Sequence, residues 1–496
     1  MSKRHRLNNY IMREFEVTID DINSRGWGRG DIEDEGRRVP VEVRGAFPGD
    51  RVRVVGRHIE DSRVQCGIVE FVSQHYPRIE IGCPHARVRC DKDTGCGGCT
   101  LRELAYETQC QLKQGILERL LAKQGVKTPV SPILPCVACD HYRNKMELSF
   151  GPDGADALGT GLHPSGFKYE VISMRYCDTF SEIIAELAER TTAWAKALGI
   201  TYYVFRENAG FLRLLTLREG KRTGASMVIL TTSGEPEVNV HGAIWTAEAV
   251  IRDYAENVLG RLSRQVDSFY WTAVTTQKGH VTRNDDHLIF GPAVLQEKML
   301  MPDEAHALTY EILPRAFFQP NTLQAERLYQ EVLKQASPYM TAEMPMLDLY
   351  CGTGTIALCF ARYGHRAIAV DIEKQAIENA RENARKNGLE DRIEFYAGDA
   401  AEILKQHLDA DANFTEHLMV VDPPRRGLLP PAYRQIMRIR PKTIIYVSCN
   451  PESLAEDLRR FEADGYEVVH IQPVDMLPQT AHLETVATLR RLEVAC

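Results

Sequence analysis

The 496-residue sequence has no apolar run approaching the roughly 18 residues that span a bilayer, so no helical membrane span is expected. Its first residues, Met1-Ser2-Lys3-Arg4-His5-Arg6, lack the apolar segment of a secretory leader, and a cytoplasmic protein is expected. Excess positive charge is missing too. With 60 Lys and Arg against 68 Asp and Glu, the formal net charge is −8. That argues against gripping nucleic acid through bulk charge and leaves only local patches. No repeat or low-complexity linker interrupts the stretch from Tyr142 to about Pro314. The chain's length exceeds what one core supports, so about two to four domains are expected.

What is present begins with cysteine. Thirteen of them in a large chain without a leader point to metal binding or catalysis rather than to disulfides. Cys83-Pro84-His85, Cys90 and Cys96-Gly97-Gly98-Cys99 crowd one stretch more densely than packing requires. Thiolates two residues apart on a glycine turn can reach one metal centre, because glycine lets the backbone wrap it closely. Zinc would suit Cys96, Cys99 and two of Cys83, His85 and Cys90, or the pair Cys136 and Cys139. A four-iron cluster takes four cysteines, and Cys177 is then the candidate for a distant fourth.

From Tyr10 to Val72 apolar and polar residues alternate between turn signals such as Phe47-Pro48-Gly49-Asp50, the pattern of a small OB-type barrel. Trp27, Arg25, Arg29, Arg37 and Arg38 read most plainly as ordinary surface residues of that barrel. Leu101 to Gly125 has helical spacing. Strand patterns then run from Tyr142 to about Pro314, and Phe317-Phe318-Gln319-Pro320-Asn321 leads into a helix at Ala325.

From Met346 strands and helices alternate. A strand, Met346 to Tyr350, runs into the glycine loop Cys351-Gly352-Thr353-Gly354-Thr355, a helix follows from Ile356 to Tyr363, and the next strand ends in Asp371. Glycines let the backbone approach a ligand at a helix amino end, and an acid ending the second strand can accept ribose hydroxyls, so a nucleoside cofactor is expected. The loop alone leaves NAD and S-adenosylmethionine open. Asp399 is placed to meet an adenine amine, and Asp422-Pro423-Pro424-Arg425 ends the fourth strand as in methyltransferases. Amino-group methylases usually follow the Asp-Pro-Pro with an aromatic that stacks the base; Arg425 here favours carbon methylation.

Carbon 5 of uracil becomes nucleophilic when a thiolate adds to carbon 6, and a base must later remove the carbon-5 proton. Ile444 to Val447 is a strand whose carboxyl end delivers Ser448-Cys449-Asn450-Pro451. Alone, Cys449 reads more readily as a small buried hydrophobe than as a nucleophile. His482 and Glu484, in a loop before a final strand from Val486 to Leu489, offer the base.

Together Phe317 to Asn321, Leu347-Asp348-Leu349-Tyr350-Cys351-Gly352-Thr353-Gly354, Asp422 to Arg425, Ser448 to Pro451 and His482-Leu483-Glu484 resemble the RNA 5-methyluridine methyltransferases, over nearly the whole chain and in that family's order. The resemblance implies an S-adenosylmethionine site lined by Gln319, Tyr350, Thr355, Asp371, Asp399 and Asp422, with Cys449 the nucleophile and Glu484 the base. Tyr350 and Thr355 stand where other members often have phenylalanine and asparagine. The Pro-Gly-Asp turn and the Arg51-Val52-Arg53-Val54 that follows resemble the TRAM domain, which implies that Trp27, Arg25, Arg29, Arg37 and Arg38 supply a sequence-tolerant RNA grip. Members carrying it and the Cys-Pro-His to Cys-Gly-Gly-Cys segment hold a 4Fe-4S cluster, which implies Cys83, Cys96, Cys99 and Cys177 as ligands, with Cys90 the alternative to Cys83.

The expected fold class is α/β multidomain: an OB-like TRAM barrel over 10–75, a central α+β iron-sulfur and RNA-binding domain over 76–315, and a Rossmann-like S-adenosylmethionine-dependent catalytic domain over 316–496. The expected substrate is one uridine of RNA, 23S ribosomal RNA first and transfer RNA as the alternative, with no DNA or membrane partner and a monomeric enzyme. Two rivals stand beside it, an RNA-binding protein with a vestigial cofactor fold and an NAD-linked oxidoreductase.

Overall fold

The computed structural model describes every residue except 1–6, 35, 87–94, 155, 166, 168, 277–280, 304–305, 341–344, 411–417 and 494–496. Alternation between Glu14 and Ser73 produces a six-stranded sheet whose inward valines, among them Val17, Val41, Val52 and Val64, form one core. The sheet curls until its first strand lies against its third. The Asp20 amide donates to the Arg29 carbonyl at 2.8 Å, and Gly30 is required, since a Cβ there would meet the Thr18 carbonyl oxygen at 2.4 Å. The Pro-Gly-Asp turn is tied inward by Asp50, whose carboxylate accepts from the Phe47 and His75 amides at 2.8 Å each and pairs with Arg78.

Helix α1 covers Tyr106–Gln124 and stops at Gly125, which takes the left-handed φ of 83° that favours glycine. The periodicity places its start at Leu101, five residues early. Leu101 and Leu104 are buried as expected of that face, but the Leu101 amide donates to the Gln479 carbonyl at 3.0 Å, so this stretch is a turn docked on distant chain. Beyond it, seven strands between Lys145 and Phe290 form a mixed sheet packed against α2 (Ile183–Leu198) and α3 (Ala247–Asn257). Helix α4, Thr322–Ala336, begins three residues before Ala325, because the Asn321 side chain caps it by accepting from the Gln324 amide at 3.2 Å.

The last third is one seven-stranded sheet: β1 (Met346–Leu349), β2 (Ala367–Asp371), β3 (Ile393–Ala397), β4 (Leu418–Val421), β5 (Thr443–Ser448), β6 (Tyr466–Val474) and β7 (Glu484–Arg491). Their order is β3-β2-β1-β4-β5-β7-β6. The first five are parallel, and β7 runs antiparallel between β5 and β6. Strands so fully apolar must be covered on both faces. Helices α4, α5 (Thr355–Arg362) and α6 (Lys374–Lys386) contribute to the core on one face, and α8 (Pro430–Ile439) and α9 (Pro451–Ala463) to the other. Helix α7, Ala400–Ala410, follows β3. The outer edge of β6 is taken up by earlier chain, with Val130 bridging Ile471 and Leu134 bridging Val474.

Candidate active site

The strand order reverses between β1 and β4, and in such sheets the crevice beyond the carboxyl ends at this switch point receives the ligand. Four of the six expected cofactor residues lie at or just past those ends. Tyr350 and Asp422 follow β1 and β4, Asp371 closes β2, and Asp399 lies two residues past β3. Tyr350 takes a φ of +66°, uncommon for a bulky residue. Its phenol is pushed up to about 12 by burial and by the charges of Asp399, Asp457 and Asp371.

Asp371 accepts from the Gly352 amide and from the Glu373 amide, each at 2.9 Å, and so pins the glycine loop to the strand end. Each carboxylate oxygen retains a further acceptor site for a ribose hydroxyl. At Gly352 nothing lies within 4 Å of where a Cβ would stand, so open space faces the loop. These features fit S-adenosylmethionine. Asp399 caps α7, one oxygen accepting from Ala401 and Glu402 amides at 2.9 and 3.2 Å, and the Thr355 hydroxyl is engaged 3.0 Å from the Tyr329 hydroxyl. Gln319 is buried, its carbonyl held by the Asn144 side-chain amide at 2.7 Å.

Cys449 and Glu484 meet because β5 and β7 are neighbours. Ser448 pairs with Thr485, so Cys449 and Glu484 are the adjoining residues at the same end of the two strands. Glu484 is therefore the first residue of β7 rather than part of a loop, since pairing with Val474 of β6 extends the strand to it. Cys449 stands before the amino end of α9, whose cap Asn450 accepts from the Glu452 amide at 3.1 Å and donates to the Arg425 carbonyl at 2.8 Å.

Electrostatics bind these groups into one unit. Burial raises the Cys449 thiol to about 12, helped by Glu484 and Asp422, while Arg425 pulls it down. Burial and the Asp422 charge push Glu484 up to about 8, again opposed by Arg425, and burial raises Asp422 to about 7. His482 goes the other way, to about 4, through burial and the charges of Arg425, Lys113 and Arg143, so it is neutral at physiological pH. Of the two bases offered by the sequence, Glu484 has the charge coupling to Cys449.

Three contributors escaped the sequence reading. Asp348, fully buried in β1, accepts from the Ala357 amide at 2.9 Å and its second oxygen has no partner, so it braces the first turn of α5, which follows the glycine loop. Asp457 accepts from the Tyr446 hydroxyl at 2.7 Å and the Leu428 amide at 2.8 Å, tying the Asp-Pro-Pro loop to β5. Arg425 was visible only as a departure from a stacking aromatic, and it is the cation facing both Cys449 and Glu484.

The four cysteines implied as ligands line one cavity of about 330 Å³ together with Arg143 and Pro320. Cys99 is raised to about 11 chiefly by burial, and the Cys96 thiol is raised by burial and by the charges of Cys177 and Cys83. Cys90 lies outside the described residues. Cys136 and Cys139 do not line this cavity; the Cys136 amide donates to the Tyr106 hydroxyl at 2.6 Å. Among the described residues no group of three or more His, Cys, Asp or Glu side chains is set to hold a metal ion. In the first sheet, Arg25 stacks on Trp27 at 4.7 Å and, with Arg29, pairs with the buried Glu42, so these two arginines are largely committed within the sheet. Arg37 and Arg38 are exposed.

A parallel sheet with an antiparallel β7, a glycine loop at its switch point and acids ending its strands defines an S-adenosylmethionine-dependent methyltransferase. Residues 281–492 match the family model described as tRNA (uracil-5-)-methyltransferase. An RNA methyltransferase of Caldanaerobacter subterraneus subsp. tengcongensis is 32% identical over 96% of this chain and 98% of its own length. One from Protochlamydia amoebophila is 33% identical over 90% and 99%. Among solved structures, the Pyrococcus abyssi tRNA (uracil-54, C5)-methyltransferase in complex with S-adenosyl-L-homocysteine aligns with a TM-score of 0.69 and 27% identity, covering 96% of this chain and 99% of that one. The chain belongs to the RNA uracil-C5 methyltransferase family and is an S-adenosylmethionine-dependent RNA methyltransferase. No helix among the described residues is long and apolar enough to cross a membrane.

Proposed function

We propose that the protein methylates carbon 5 of one uridine in a structured RNA through a covalent bond from Cys449 to carbon 6. The observation that carries this is the pairing of Ser448 with Thr485, which sets a thiol and a carboxyl side by side at the sheet end nearest the cofactor crevice. The thiolate adds to carbon 6, and the electron pair released onto carbon 5 takes the methyl group that bound S-adenosylmethionine supplies, leaving S-adenosylhomocysteine. The Glu484 carboxylate then takes the carbon-5 proton, the ring double bond re-forms, and the sulfur leaves as thiolate. Arg425, the cation beside both groups, favours the charged form of each. The target base must leave its stack to reach this site.

Gln319, Tyr350, Thr355, Asp371, Asp399 and Asp422 are our assignment for the cofactor site, and 10–75, 76–315 and 316–496 our assignment for the domains. The first of these is read as a TRAM barrel. For the RNA, 23S ribosomal RNA is the reading carried from the cysteine-bearing branch that the sequence resembles. Transfer RNA is the second reading, favoured by the substrate of the Pyrococcus abyssi enzyme. Methylation assays on both RNAs, with nucleoside mass spectrometry, decide between them. Formation of 5-methyluridine in neither sinks the proposal.

Because Glu484 works as a base only when deprotonated and acts after methyl transfer, steady-state kcat is expected to rise with pH through the raised value of about 8 that burial gives this group. Arg425→Leu should move that limb upward. A pH profile flat from 6.5 to 9 would remove Glu484 from the role.

We assign Cys83, Cys96, Cys99 and Cys177 to a 4Fe-4S cluster. In support, all four cysteines line one cavity of about 330 Å³, room for a polynuclear group. Two arginines also stand beside them, Arg102 paired through Nη2 with Asp178 and Arg44 donating to the Gly95 and Cys96 carbonyls, yet each keeps buried nitrogen free among the described residues. Nε and Nη1 of Arg102, whose charge acts on Cys99, are buried without partners, as is Nε of Arg44 beside Cys96. Anaerobically purified protein should carry iron and acid-labile sulfide. Cys99→Ala and Cys177→Ala should lose both, while Cys136→Ala and Cys90→Ala should keep them. Zinc in place of iron would overturn the assignment.

A further inference from the structure

Segment 475–484, which ends in Glu484, is held by chain far away in sequence. Four consecutive carbonyls are taken by five distant donors. The Asn321 side-chain amide donates to Met476 at 3.0 Å, Lys113 to Leu477 at 3.0 Å, the Tyr142 hydroxyl to Pro478 at 3.0 Å, and the amides of Thr100 and Leu101 to Gln479 at 2.9 and 3.0 Å. The side chain of Gln479 is fixed as well. Gln109 of α1 donates to its Oε1 at 2.8 Å and accepts from its backbone amide at 2.9 Å, while the same Gln109 nitrogen donates to the Leu104 carbonyl at 2.9 Å.

Lys113 is fully buried against the fully buried Asp475 at 2.6 Å, and the Tyr106 hydroxyl donates to the other Asp475 oxygen at 2.8 Å. Gln479 itself has a φ of +68°, a strained conformation for a non-glycine residue that persists only where its surroundings over-determine it. Thr100 and Leu101 directly follow Cys99 of the cysteine-lined cavity.

Cys449 takes none of this support. It is set by β5 and the Asn450 cap of α9. Both catalytic candidates lie at the same end of the sheet, but only Glu484 directly follows a segment clamped by earlier chain. We infer that Gln109, with Gln479, is a positioning residue for Glu484, so that this clamp governs removal of the carbon-5 proton and not the attack or the methyl transfer. This rests on the proposed roles of Cys449 and Glu484.

The test uses Gln109→Met, which keeps the volume and loses the amide, and Gln479→Gly, which accepts the positive φ without strain. Lys113 is avoided, because stranding the buried Asp475 charge would threaten folding. With unmodified RNA and radiolabelled cofactor, single-turnover methyl transfer should stay within about 3-fold of wild type. Steady-state turnover should fall on the order of 10- to 100-fold, the scale of a small misplacement of a reacting group, with a methyl-labelled protein–RNA adduct accumulating on denaturing gels. Affinity for S-adenosylmethionine should not change. Wild-type turnover in both variants, or transfer and turnover falling together, overturns the inference. If Glu484→Gln traps the adduct and these variants do not, the positioning role alone fails. If Glu484→Gln traps none, the assignment of the base fails and takes the inference with it.

Discussion

Replacing Cys449 with alanine is expected to abolish formation of the covalent complex with 5-fluorouridine-substituted RNA and to cut methyl transfer by about 10⁴-fold or more, as loss of a nucleophile does. Fluorine at carbon 5 leaves no proton for a base to take, so the native enzyme should halt as a stable adduct that survives denaturation. Cys449 is only half-buried, and alanine opens little space in a core set by Ile444, Ile445 and Val447 of β5. S-adenosylmethionine binding should persist, and calorimetry checks it. A covalent complex that survives in the alanine variant would assign the attack to another residue, and wild-type protein that forms none would remove covalent catalysis altogether.

The second large effect is expected at Glu484. In Glu484→Gln the thiol is still delivered by β5, and the charge of Asp422 and Arg425 still surrounds it, so attack and methyl transfer should proceed. Release should fail. Turnover is expected to drop about 10²- to 10⁴-fold, the usual worth of a positioned base, and the methylated adduct should build up with unmodified RNA. His482, driven to about 4 by burial and three nearby cations, is poorly placed to substitute, so His482→Gln should not trap the adduct. Ordinary turnover in Glu484→Gln would reassign the base.

Legibility in the sequence followed the range of each interaction. Strands β1, β2, β4 and β5 were readable because their apolar runs are local, and an acid or cysteine at a strand's end lands at the sheet's carboxyl edge whatever surrounds it. Glu484 read as a loop residue because its strand is extended by pairing with Val474, ten positions away, which leaves no mark on its neighbours. Leu101 read as helical from its spacing, but its amide is committed to Gln479. Asp348 was quoted within a motif without a role, since only the fold shows it under the Ala357 amide. Gln109 and Lys113 sit on a helix legible only from its apolar spacing, and their partners lie 362 to 370 positions downstream, beyond any periodic signal.

Val130 and Leu134 lie along the outer edge of β6, and the Pro473 carbonyl accepts from the Leu134 amide at 2.9 Å. Sheets guard such borders because bare ones pair with other chains. During synthesis the carboxyl-terminal sheet emerges last, when its border strip and the donors for Met476 to Gln479 have long since left the ribosome. The early chain thus covers the border of the late sheet. Were the catalytic third a separate fragment, the same contacts would have to form by bimolecular encounter instead of within one chain.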